Sequence, residues 1–243
     1  MKQAAARTKD IAWIIATRNE HKVAEIRGIL GHQFDYLALR QFPDAPPTIE
    51  DAPDFAGNAT KKAVQLANWI ARNLDAFRDK LASGEAWVLA DDSGLEVEAL
   101  HGAPGVHSAR FAALDSEGET SSGNSPDSAN NAKLLRLLAN VPIEKRTARF
   151  RCVIAVTPTV ADSPRDSKVC YSNEAELRTE LFEGACEGHI AFSPSGGGGF
   201  GYDPLFIPRD YKQSFAELGD DIKNSLSHRA KALAKLRTWF DKL

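Results

Sequence analysis

Two adjacent carboxylates, Asp91 and Asp92, follow the apolar run Trp87, Val88, Leu89, Ala90 and precede Ser93 and Gly94. A buried strand ending in two acidic groups is costly unless a cation, a metal ion or hydrogen bonds meet their charge. In open α/β sheets the carboxyl ends of strands are also where ligands bind. The stretch therefore reads as a strand end turning at Gly94, and it admits two accounts. One is Mg²⁺ and phosphate chemistry; the other is a capped turn built from Asp and Ser. Successive strand residues face opposite ways, so one of the two carboxylates meets a metal directly. Asp92, nearer the turn, is the candidate, with Asp91 orienting it or capping the loop.

The 243 residues carry a formal net charge of -3, and their number suffices for one large α/β domain or two small ones. No basic field marks a nucleic-acid surface, and no apolar run reaches transmembrane length. Cys152, Cys170 and Cys186 lack metal-ligand spacing and read as buried thiols of a reducing cytoplasm. Residues 1–10 are polar, without the apolar stretch of a signal peptide. They read as a disordered tail before a single folded domain over residues 11–243.

Ile11 to Ala16 reads as a buried strand. Asn19 caps a helix running to about Leu30, stopped by Gly31, with Val23, Ile26 and Leu30 on one face. A second helix starts near Asp54 and runs through Ala63, Leu66 and Ile70. Residues 72–85 are polar, either an extension of that helix or a surface insertion. Gly102 to Arg110 is a turn-rich loop, Ser116 to Ser128 a flexible surface loop, and Asn131 to Leu138 a short helix. Thr147 to Val156, and in part Lys168 to Leu181, alternate as paired strands do, with a turn over 157–164. Ile190 to Phe192 forms a further short strand. Asp220 to Leu243 is helical, yet Lys223, His228 and Arg229 point apart on one continuous helix. Ser227 is a good N-cap, so a break is predicted there, with a new helix starting at His228.

Four stretches are suited to chemistry. Thr17, Arg18, Asn19, Glu20, His21 and Lys22 lie where a strand turns into a helix, whose free N–H groups and dipole favour an anion; a plain capped helix is the alternative. Asp91, Asp92 and Ser93, with Glu50 and Asp51 as a second acidic contributor, form a set of the kind Mg²⁺ takes beside phosphate oxygens; Glu50 lies in a Pro-rich loop, where a plain exposed charge is the alternative. Four glycines then precede Phe200, Gly201, Tyr202, Asp203 and Pro204. Such a run suits close approach to a ligand, with the two rings offering a stacking face and Asp203 an acceptor. Lys223, His228 and Arg229 supply donors, which match the keto oxygen of a 6-keto purine and leave adenine's amino group unmatched. Guanine shares that oxygen, so its exclusion needs another device.

Together and in this order, these stretches resemble the inosine triphosphate pyrophosphatase family. The resemblance also takes in Phe55 to Ala59, Gly105 to Arg110 and Ser227 to Ala230, and spans about Ile11 to Phe240. It implies an α/β fold: a long mixed β-sheet with flanking helices, in two lobes around a central cleft, usually as a homodimer. It implies Mg²⁺-dependent hydrolysis of ITP, dITP and XTP between the α- and β-phosphates, giving the monophosphate and pyrophosphate and keeping these bases out of nucleic acid. By position, Thr17 to Lys22 would hold the triphosphate, and Asp92 and Glu50 the metal, with Asp92 helping to activate water. Ser93 would touch substrate. Phe200 to Asp203 would form the base platform, and Lys223, His228 and Arg229 would complete the contacts. The loops over residues 72–85 and 116–128 look longer than the family's, and two positions depart from its pattern: Gly57 stands where Glu is frequent, and Ser195 where Arg often precedes the glycines. They leave room for a rival reading, a nucleotide sensor without catalysis. A pyrophosphatase for modified pyrimidine nucleotides is a second rival, disfavoured by the donors at 228 and 229.

Overall fold

The computed structural model describes residues 11–31, 34–77, 79–81, 85–115, 123–159 and 178–242. Six strands form one mixed sheet in the order β2-β1-β3-β4-β5-β6. The strands are β1 (Ile11–Ile15), β2 (Asp35–Ala38), β3 (Glu85–Val97), β4 (Thr147–Pro158), β5 (Glu180–Ile190) and β6 (Phe206–Pro208). β1 pairs in parallel with both β2 and β3, whereas β5 and β6 are antiparallel. The helices are α1 (Glu20–Leu30), α2 (Phe55–Arg72), the single turn α3 (Leu74–Phe77), α4 (Asp127–Leu137), α5 (Phe215–Leu226) and α6 (His228–Phe240). None is long and apolar enough to cross a membrane. The chain divides into two compact units: residues 1–92, 153–182 and 233–243, and residues 93–152 and 183–232.

In the first unit, the local signals in the sequence act as their chemistry dictates. Asn19 caps α1 by accepting from the Lys22 N–H at 3.1 Å, and Gly31, at φ 83°, ends it by donating to the Arg27 carbonyl. Val23, Ile26 and Leu30 are the buried face. Asp54 caps α2, which buries Ala59, Ala63, Leu66 and Ile70. Trp13 sits almost wholly buried among Phe34, Trp87 and Phe240, with ring centroids 5.5 to 6.4 Å away.

The second unit has its own core, built on Leu95, Phe111, Leu134, Phe150, Leu205, Phe206 and Phe215. The break foreseen at Ser227 is present. That residue is extended (φ -65°, ψ 164°) between α5 and α6, and its hydroxyl accepts from the Ala230 N–H at 3.2 Å.

Some expectations are corrected. The strand bearing Asp91 and Asp92 does not end there; β3 runs on through a buried Gly94 to Val97. The acidic pair is thus in mid-strand, which is tolerable because lysines from two helices meet its charge, as set out below. Ile190 closes the single long strand β5 rather than opening a short one, and Phe192 lies beyond it. Gly105–Arg110 is a 3-10 helix, and α4 starts at Asp127, inside the stretch read as loop. The expectations for residues 1–10, for the bulk of the 116–128 and 157–181 stretches, and for Cys170 fall outside the described residues.

Candidate active site

The chemistry of the first unit begins with two lysines on buried helical stripes. Lys22 precedes Ile26 and Leu30 at i+4 spacing on α1, and Lys62 lies between Asn58 and Leu66 on α2; Ile26, Leu30, Asn58 and Leu66 are all buried. An ammonium group on such a stripe needs a counter-charge. Lys22 pairs with Asp91, whose side chain is fully buried. Lys62 donates to Asp92 Oδ1 at 2.7 Å and to Glu50 Oε2 at 3.2 Å. Adjacent carboxylates of one strand thus take lysines from different helices, as the two-residue period of a strand allows.

Burial pushes the Asp92 carboxyl above the usual range, against the opposing pull of Lys62 and Lys22. Burial alone would lower Lys62, but the charges of Asp92 and Glu50 outweigh it and hold the ammonium protonated. Asp92 Oδ2 is buried and has no hydrogen-bond partner. Among the described residues no three His, Cys, Asp or Glu side chains gather as a metal-ligating group. A hard cation that draws most of its shell from phosphate and water needs only one or two carboxylates. Asp92 and Glu50, with an unsatisfied oxygen on the buried member, fit that requirement.

The motif Phe55 to Ala59 positions the acidic loop. Asn58, 1 % exposed, accepts from the Ala52 N–H at 3.0 Å, two residues from Glu50. Lys61 adds a surface pair to Asp51. Gly57 is close-packed: a Cβ there would lie 2.7 Å from the Ala52 Cβ.

At the start of α1, Thr17 Oγ1 accepts from the Asn19 N–H at 3.1 Å. Arg18, Glu20 and His21 are exposed. The Glu20 carboxylate pairs with Arg40 at 3.0 Å, so of this stretch it is the one poorly suited to touch phosphate.

The second unit gathers the remaining candidates. Lys223, 2 % exposed, reaches Asp203 Oδ2 at 2.5 Å, and its Nζ lies 4.5 Å from the Phe200 ring centroid. Asp203 also accepts from the Phe200 N–H at 2.8 Å. One carboxylate thereby ties the end of the glycine run to α5 and places a cation on one face of Phe200. Gly201, at φ 65°, is gripped from α4: its N–H donates to Asp127 at 2.6 Å and its carbonyl accepts from Asn131 at 3.0 Å. A cavity of about 480 Å³ opens beside this loop, lined by Asp127, Asn131, Leu135, Gly199 and Phe200 among others.

Tyr202 departs from its expected role. It is 3 % exposed, packs in the core and donates to the Ser108 carbonyl at 2.9 Å, so its ring offers no face for stacking. Ser195 links the glycine run to the cap of α5. Its carbonyl accepts from Ser214 at 2.8 Å, and its side chain hydrogen-bonds Glu217, holding that carboxyl below its usual range.

His228 stacks on Phe150 with centroids 4.8 Å apart and planes 13° from parallel. Arg229, 1 % exposed, donates to Ser93 Oγ at 3.0 Å. Ser93 follows Asp92 directly in β3.

Lys62, Asn58, Asp127 and Asn131 were not among the sequence candidates. The signal for Lys62 was a charge on a buried i, i+4 stripe. Nothing local marks Asp127 or Asn131 as partners of Gly201, which is 74 and 70 residues away.

Comparison with known proteins places these residues in context. Residues 13–239 match the model of the Ham1 family. A dITP/XTP pyrophosphatase of Desulforamulus reducens is 45 % identical over 225 residues, 91 % of this chain and 92 % of that protein. One from Geobacter sulfurreducens is 44 % identical, covering 92 % and 94 %. Among solved structures, a HAM1 protein from Coxiella burnetii superposes with a TM-score of 0.71 at 30 % identity, over 96 % of this chain and all of that one. A nucleoside-triphosphatase / dITP/XTP pyrophosphatase from Mycobacterium abscessus gives 0.60 at 32 % identity, over 93 % and 98 %.

Proposed function

The chain belongs to the Ham1 family, and on that premise we propose that it is a dITP/XTP pyrophosphatase, hydrolysing non-standard purine nucleoside triphosphates to the monophosphate and pyrophosphate. The observation that carries this reading is the buried carboxylate of Asp92, braced by Lys62 and retaining one unsatisfied oxygen. Such a group can hold a cation or take a proton, and a carboxyl raised by burial is the better base.

Asp92 and Glu50 would hold Mg²⁺, which when bound neutralises phosphate charge and acidifies water. The α1 N-terminus and Lys22 stabilise the negative charge that develops on the leaving pyrophosphate. Lys22 then exchanges Asp91 for phosphate, or shares itself between them. Asp92 helps to activate the water attacking the α-phosphorus. At the other end of the substrate, the base stacks on the face of Phe200 opposite the Lys223 ammonium. His228 and Arg229 donate to keto-purine acceptors, and an adenine amino group would leave those donors unmatched. Thr17, Arg18 and Ser93 contribute polar contacts. A homodimer belongs to the same proposal, resting on the family resemblance, and sedimentation checks it.

The test is pyrophosphate release from dITP, XTP, ITP, GTP and ATP, with Mg²⁺ and with chelator. Metal-dependent release from the first three, and little from ATP, is expected. Release from none of them would leave a nucleotide binder, and equal release from all would remove the role given to His228 and Arg229.

A further inference from the structure

His228 and Arg229 lie in the first turn of α6, and that turn rests on β5 with almost no space between. A Cβ on Gly184 would fall 2.0 Å from the His228 carbonyl oxygen and 2.6 Å from the Ala232 nitrogen. These two atoms are the acceptor and donor that an α-helix pairs four residues apart. A methyl group at 184 would therefore be driven between these two backbone groups in the first turn of α6. Both obstructing atoms are backbone, so no side-chain rotation relieves the contact, and the helix start must move by at least about 1 Å to approach ordinary C···O separation. The neighbouring residue of β5 supplies a tie in the opposite sense: the Ala185 carbonyl accepts from Lys231 Nζ at 2.8 Å. Contact without a side chain at 184 and attachment at 185 together fix the height of the turn above the strand.

We propose that Gly184 and the Ala185 carbonyl form a seat that positions His228 and Arg229 for base discrimination, with Gly184 as the specificity-determining positioning residue. The inference rests on the reading above, in which His228 and Arg229 contact the base. The front of the same turn carries the Arg229 to Ser93 hydrogen bond at 3.0 Å and the His228 stack on Phe150 at 4.8 Å. A shift of about 1 Å takes the former beyond hydrogen-bonding range and slides the latter, a misplacement that can cost on the order of 100-fold in rate. Discrimination between keto and amino purines depends on where the donors point, so it suffers more than turnover does.

Gly188 provides the control. It lies on the same strand and is equally crowded, but against β6, where a Cβ would sit 2.2 Å from the Ile207 carbonyl oxygen. Gly184→Ala and Gly188→Ala are both expected to lower the melting temperature. Only Gly184→Ala is expected to lower the ratio of kcat/KM for XTP to that for ATP, by about 10- to 100-fold, and to shift the His228 ring proton resonances, which the Phe150 ring current marks. A folded Gly184→Ala protein with a ratio within about twofold of wild type, or an equal fall in Gly188→Ala, overturns the proposal. Should Gly184→Ala not fold, Lys231→Ala removes the other tie from an exposed position; a several-fold fall in the ratio is then expected, and an unchanged ratio overturns the proposal. Failure of the underlying reading is distinct: the wild-type protein itself would then show no preference for XTP over ATP.

Discussion

Lys62 stands 2.7 Å from Asp92 and 3.2 Å from Glu50, so a single ammonium group holds both carboxylates assigned to the metal. Lys61, its neighbour in sequence, makes its pair with Asp51 at the surface. The two lysines therefore separate a buried ion pair from a solvated one on the same helix. Lys62→Met should destabilise the protein by about 3 kcal/mol, because it strands a buried carboxylate. Lys61→Met should leave the melting temperature unchanged within error. Thermal unfolding of both variants at neutral pH checks the contrast, and equal effects would contradict the burial of the Lys62 pair.

Asp92→Asn should keep the fold and lose about 100- to 10,000-fold in turnover, the range of a missing general base. Glu50→Gln should instead raise the Mg²⁺ concentration needed for half-maximal rate while changing turnover at saturating metal much less. Rates measured across a Mg²⁺ titration separate the two carboxylates. An Asp92→Asn enzyme with near-normal turnover would refute its role.

Asp127→Ala should loosen the Gly201 peptide, and with it Phe200. The expected result is an increase in KM of about tenfold, as for one lost charge-assisted hydrogen bond, with kcat less affected. Steady-state kinetics with dITP check this, and a fall in kcat at constant KM would assign Asp127 elsewhere.

Replacing Gly57 with Glu introduces the residue that the family resemblance leads one to expect there, yet it should not improve catalysis. The Cβ would meet Ala52 at 2.7 Å, and overpacking of this kind costs about 1 to 3 kcal/mol. Adding Ala52→Gly should recover part of that loss. Melting curves of the single and double variants measure the coupling.

Tyr202 and Tyr36 carry phenols that burial holds well above their ordinary value of 10.0. A raised folded-state value means stability is intact below pH 10.0 and falls as pH rises past it, where the unfolded chain ionises first. Phenolate absorbance should therefore show two late-titrating tyrosines that appear together with unfolding. Tyr202→Phe should cost about 1 kcal/mol at neutral pH through the lost bond to Ser108, with a smaller deficit above pH 10.0.

The caps at Asn19, Asp54 and Ser227 and the stripe of Val23, Ile26 and Leu30 are legible in the sequence because each rests on neighbours within one helical turn. The acidic pair was legible as chemistry but misread as a strand end, since the lysines that let β3 continue come from 30 and 69 residues away. Tyr202 misled for the opposite reason. An aromatic beside glycines looks like a platform, and only the distant Ser108 carbonyl shows that its hydroxyl faces the core. The crowding at Gly184 has no local sign, because the obstruction is the backbone of residues 228 and 232.

The first unit includes both residues 11–92 and residues 233–242, and the rings of Trp13 and Phe240 meet 5.5 Å apart. During synthesis, Trp13 emerges before Phe240 and waits for that ring, more than two hundred residues behind it. Contacts so distant along the chain close slowly, and a large apolar side chain kept waiting is prone to aggregate. The unit that holds Asp91 and Asp92 thus closes only after residues of the second unit have been made.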